Sequence, residues 1–120
     1  MINSIQSSAH GTRIALAGTL DADGAFALRS SLEQIVTGAI RNVTFDLGDV
    51  SYMDGSGVGA LAFTFKRLAA RGLELRVEGA HGQPLSLLRK LGLDRTLGIA
   101  PATPQRRLGL AAALGLARAA

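Results

Sequence analysis

The residues best placed to do chemistry lie in one stretch, 51–67, SYMDGSGVGALAFTFKR. Gly55-x-Gly57-x-x-Ala60 fits the spacing G-x-G-x-x-G/A, in which glycines bring backbone amides against a pyrophosphate at the start of a helix. Glu78 follows at about the separation where an acid would meet a ribose. Two features count against a dinucleotide. That fingerprint needs a strand running directly into its first glycine, whereas here Leu47 is followed by GDVSYMD, which reads as an acidic turn. A chain of 120 residues is also too short for a second mononucleotide half and a substrate domain. The lysine of a G-x-x-x-x-G-K phosphate loop is missing.

A second reading gives the same residues a structural role. Asp54 is a good helix N-cap, its carboxylate accepting from the free amides of the first turn, and the glycines let the helix start close against a sheet. Ser56 then sits where free amides and the helix dipole favour a phosphate, or it simply solvates the turn. Catalytic inventory is thin. His10 and His81 fall in loops, with no paired carboxylate or second histidine at ligand spacing, and Ser56 lacks the spacing of a nucleophile elbow. The expectation is no enzyme, no catalytic residue, no metal and no cofactor.

The elements that must position this stretch are visible as alternation. Ile14 and Leu16 alternate with polar neighbours in 13–17, as do Val43, Phe45 and Leu47 in 42–47 and Leu73, Leu75 and Val77 in 73–78. A strand over Ile2 to Ser7 would make a hairpin with the first of these. Helices are expected over 24–37 (carrying Phe26, Leu28, Leu32 and Ile35), 55–71, 84–92 and 104–118, with an optional short strand near Leu97 to Ile99. The fold class is α/β, a mixed β-sheet of four or five strands with helices packed mainly on one face. Residues 1–120 read as a single domain, since no linker, repeat or low-complexity tract interrupts them.

Composition narrows the setting. Hydrophobic residues make up 48% and charged residues 18%, the balance of a folded globule. There is no cysteine, which fits a cytoplasmic protein, and MINSIQSSAHG lacks the basic start and apolar run of a signal peptide. The longest uncharged apolar run is far short of a membrane span. Thirteen basic against nine acidic residues give +4, but the arginines are scattered, and four Phe and one Tyr form no base-stacking cluster. Neither nucleic acid nor membrane is an expected partner.

The run FDLGDVSYMDGSGVGAL…FKRLAARGLELRVEG resembles the core of a STAS domain, the sulfate-transporter and anti-sigma-factor-antagonist module. Gly18-Thr19-Leu20-Asp21 is similar to the family's early G-x-L-D, and PLSLLRKLGL at 84–93 to its later helix, so the likeness spans about residues 2–115. The resemblance implies a stand-alone anti-sigma factor antagonist, which binds an anti-sigma factor that is also a serine kinase. Phosphorylation of a serine in the signature would break that complex. Switchable relatives carry the acceptor hydroxyl directly after the aspartate; here that position is Gly55, so the resemblance leaves two readings, binding without a phospho-switch or Ser56 as a displaced acceptor. The same family also implies an alternative, a regulatory subunit of a lipid-exporting ABC transporter that docks on the ATPase.

The binding face is expected around Asp21, Asp54, Gly55, Ser56 and Gly57 and along the outer side of the 55–71 helix. At 100° per residue, Val58, Leu61, Ala62, Phe65, Leu68 and Ala69 fall in one arc toward the sheet. Gly59, Ala60, Phe63, Arg67 and Ala70 fall opposite. Phe63 beside Arg67 is then a docking anchor, or packs beneath a neighbouring loop or the C-terminal helix.

Overall fold

The structure is a computed structural model and describes residues 2–9, 11–97 and 99. Strands β1 (Ile2–Ser8) and β2 (Gly11–Leu20) pair antiparallel, as the alternation anticipates. The chain continues as α1 (Ala22–Gly38), β3 (Val43–Met53), α2 (Gly55–Ala69), β4 (Leu75–Glu78), α3 (Gly82–Lys90) and a single turn, α4 (Leu93–Thr96). Sheet order is β1-β2-β3-β4, with β2, β3 and β4 parallel. Two successive β-α-β units step the same way across the sheet, so crossovers of one hand put α1 and α2 on the same face. The helix expected over 104–118 and His10 lie outside the described residues.

The sheet's two faces separate as the periodicity requires. Ile14, Phe45 and Val77 are in register across three strands and are all fully buried; with Leu16, Leu47 and Leu75 they meet Leu28, Leu32 and Val36 of α1 and Leu61 and Leu68 of α2. On the other face Ala15, Asp46 and Glu78 are in register. Asp46 is only 3% exposed, which is costly for a carboxylate without partners. Its Oδ1 accepts from the Gly48 amide at 2.9 Å and its Oδ2 from Arg13 at 3.4 Å, while the same guanidinium donates to Glu78 at 2.7 Å. One arginine thus holds the acids of two neighbouring strands.

Three expectations need correction. The acidic turn at GDVSYMD is strand: β3 continues to Met53, leaving only Asp54 before Gly55. Between the pairs Ala15–Asp46 and Leu20–Met53, β3 spends two more residues than β2, in two irregularities of register. The first bulge shifts the period, so Val50 is buried out of step with Val43, Phe45 and Leu47, and the second restores it at Met53. No strand begins at Leu97, which caps α4, and the Ile99 amide bonds back to Asp94. Phe26 does not face the core; it is 82% exposed. It stands two positions from Leu28, about 200° around the helix axis.

Arg13→Ala removes the guanidinium that both the buried Asp46 and Glu78 bond. Unfolding in urea should show a loss of about 2 kcal/mol, less than for a fully buried pair because Arg13 is partly exposed. Arg13→Lys, which keeps the charge but only one point of contact, should fall between it and the wild type.

Candidate functional site

β2 and β3 are neighbours and end together, Leu20 opposite Met53. Each passes through one aspartate into a helix. Asp21 caps α1, its Oδ1 accepting from the Gly24 amide at 3.0 Å. Asp54 caps α2, its Oδ1 accepting from Ser56 at 2.9 Å and Gly57 at 3.3 Å. Both caps have the extended backbone that an N-cap requires. The Asp54 amide donates to the Leu20 carbonyl at 3.3 Å, which ties the second junction to the first. Asp21 and Asp54, expected from separate motifs, therefore form one paired structure.

The three glycines of α2 do different things. A Cβ on Gly57 would stand 2.3 Å from the Leu20 carbonyl oxygen and within 3 Å of the Leu20 and Met53 side chains, so the helix sits this close only because residue 57 has none. Gly55 and Gly59 have nothing within 4 Å of such an atom. Gly55 and Ser56 are exposed.

This geometry argues against a pyrophosphate cradle on new grounds, since the strand-to-glycine junction is in fact direct. The amides of Ser56 and Gly57 already donate to Asp54, and Gly57 faces protein. Glu78 is held by Arg13 on the opposite face of the sheet.

The end of β3 is finished by a side chain. The Gln83 amide group accepts from the Met53 N–H at 2.8 Å and donates to the Met53 carbonyl at 2.7 Å, as a fourth strand's backbone would. His81 uses Nε2 on the Gly48 carbonyl, 2.9 Å away. It is a tie between α3 and β3.

The orientation of α2 differs from the expected arc. Its buried residues are Gly57, Leu61, Thr64 and Leu68, spaced four, three and four, while Ala69 is exposed and Ala62 and Phe65 are half-buried. Thr64 is fully buried because its hydroxyl donates to the Ala60 carbonyl at 2.9 Å. Ser56, Ala60, Phe63 and Arg67, with the same spacing, form a second stripe that flanks α1. Phe63 is accordingly half-buried and packed against the core. Two guanidiniums approach its ring, Arg67 at 5.4 Å and Arg29 of α1 at 6.0 Å from the centroid. Arg67 also reaches both carboxylate oxygens of Glu33, at 3.1 and 3.2 Å.

Between the two helices this stripe leaves an open groove of about 460 Å³, with Phe63 in its wall, Ser56 and Gly59 along α2, and Phe26 and Arg29 along α1. Sequence reasoning missed the α1 contribution. The signal was available in Phe26, which breaks the four-residue spacing of Leu28, Leu32 and Val36.

The family model for the STAS domain matches residues 4–105. A search of curated proteins finds no match. Among solved structures the chain is similar to a candidate anti-sigma factor antagonist from Thermotoga maritima, with 13% identity, TM-score 0.76 and coverage of 88% of this chain and 91% of that one. It is similar to an anti-sigma-factor antagonist (STAS) domain protein from Planctomyces limnophilus, with 19% identity, TM-score 0.75 and coverage of 91% and 97%. A third is the Bacillus cell fate determinant SpoIIAA in its phosphorylated form, with 20% identity, TM-score 0.67 and coverage of 88% and 97%. At these identities the likeness is one of fold.

The contrast among the glycines has a direct test. Gly57→Ala should destabilise by about 1–3 kcal/mol, because backbone must move to admit the methyl. Gly59→Ala should stabilise by about 0.5–1 kcal/mol through helix propensity. Urea unfolding of the two variants should therefore give shifts of opposite sign.

Proposed function

The chain belongs to the STAS domain family, and we propose that it acts there as an anti-sigma factor antagonist-like regulator in the partner-switching control of transcription. Its partner is an anti-sigma factor with a serine kinase domain. It acts by binding, without catalysis or a cofactor. The observation that carries this reading is the exposed first turn of α2, where Gly55 and Ser56 project from a helix start held in place by the Asp54 cap and the buried Gly57. A rigid, solvent-facing helix start suits recognition by another protein. The solved relatives described as antagonists share the fold, and one of them, SpoIIAA, has been seen in unphosphorylated and phosphorylated forms.

On this reading the acceptor position is empty of its hydroxyl. Gly55 follows the cap directly, and the space beyond its Cα is open, so no packing constraint excludes a serine there. The protein binds without being released by its kinase. Ser56 is the competitor, but its side chain leaves the helix about 100° further round. A kinase aligned on residue 55 meets it poorly.

Incubation with the kinase-type anti-sigma factor and ATP should leave the wild type largely unmodified, whereas Gly55→Ser should gain one phosphate by intact-mass spectrometry. A phosphate there adds about −1.5 to −2 charge beside Asp54 and should weaken partner binding. Stoichiometric phosphate on wild-type Ser56 would sink the idea.

Phe63 supplies a second test. Phe63→Ala should weaken partner binding by roughly 1–2 kcal/mol, as for an aromatic anchor. Because the ring is half-buried, the same change should also lower the melting temperature. Calorimetric titration and thermal melts on one protein separate the two effects; lowered stability with unchanged affinity would remove Phe63 from the interface.

A further inference from the structure

We infer that the groove between α1 and α2 receives an acidic, amphipathic helical segment of a partner protein. An apolar side chain of that segment enters between Phe26 and Phe63, and a carboxylate meets Arg29. The inference extends the proposed function, naming the chemistry of the partner segment and adding α1 to the binding surface.

Three independent features lead to it. Phe26 is 82% exposed on a helix whose other large apolar residues are buried or half-buried, and it faces the groove, not open solvent alone. Large exposed aromatics beside a concave surface mark protein contacts. The groove is held open by small residues, and at Gly59 an added Cβ would meet nothing within 4 Å. A helix that gives up propensity at an exposed position with no packing or positive-φ reason leaves room for something else.

Charge decides the kind of partner. The two arginines beside Phe63 are not equivalent. Arg67 is paired with Glu33, whereas among the described residues no carboxylate lies within ion-pair distance of Arg29. Among the described residues, the only charged side chain lining the groove is that arginine. The nearby acids Asp21 and Asp54 are turned onto the helix amides as caps. A guanidinium poised on an aromatic face, open on its other side, is complementary to a carboxylate beside an apolar group. A basic segment would meet Arg29 with like charge.

The probe is a synthetic peptide of about four helical turns with two leucines at i, i+4 flanked by glutamates, and a twin with lysines in place of the glutamates. Titration into the ¹⁵N-labelled protein should shift amides of α1 from Ala22 to Leu32 and of α2 from Ser56 to Phe63. The acidic peptide should bind about tenfold more tightly than its twin, and salt should narrow the gap. Arg29→Gln should remove most of that preference. Gly59→Leu should fill the groove and abolish binding with an unchanged or higher melting temperature, while Gly59→Ala should bind like wild type. Equal binding of the twin, shifts mapping elsewhere, or full binding by Gly59→Leu would overturn the inference. The same variants are then tested on the kinase-type anti-sigma factor. If wild type and Gly59→Leu bind it alike, the groove assignment fails and the proposed function stands. If wild type binds the acidic peptide as described but no anti-sigma factor, the proposed function fails and the groove stands.

Discussion

Everything near the candidate site depends on how closely the first turn of α2 approaches the ends of β2 and β3. At residue 57 the helix backbone sits against the Leu20 carbonyl and the Leu20 and Met53 side chains, with no space for even a methyl group. That approach fixes the rotation of α2 about its own axis. Leu61, Thr64 and Leu68 then point to the sheet, and Ser56, Ala60, Phe63 and Arg67 are carried to the side of α1. Had residue 57 been alanine, the helix would have to lift or turn, and the stripe facing α1 would go with it.

Polar groups inside this arrangement are satisfied close by. The Thr64 hydroxyl bonds one turn back along its own helix, the Met53 amide and carbonyl are met by one glutamine, and Asp46 is held by a backbone amide and an arginine. These local solutions allow polar atoms in or beside the core at little cost in desolvation. The Arg67–Glu33 bridge between α1 and α2 is of a different kind. Both side chains are half in water, so it orients the helices more than it stabilises them.

Much of this was readable from residue types alone. Regular alternation located β2, the first half of β3, and β4, and the Asp-Gly-Ser-Gly stretch located the capped start of α2. The second half of β3 was not readable, because two bulges break the period and GDVSYM carries the glycine and aspartate of a turn. The rotation of α2 was misjudged for a related reason. Thr64 looks like a surface residue until its hydroxyl is paired, and without it the apolar arc centres on the wrong side. The groove was beyond any single-helix argument. It arises where Phe26 and Arg29 of one helix meet Gly59 and Phe63 of another, and their distance is set by the sheet beneath. The family likeness rested on the signature, which is local, and survived these errors.

The Gln83 amide bears on the order in which the molecule can be completed. The last residue of β3 is bonded by a side chain thirty positions downstream. That contact spans all of α2 and β4. A chain growing from its N-terminus can form the β1–β2 hairpin and α1 early, since their contacts are local. The β3–α2 junction keeps an open backbone amide and carbonyl until α3 has been synthesised and docked. The proposed docking surface is therefore among the last parts of the fold to become rigid, and an incomplete chain cannot present it in finished form.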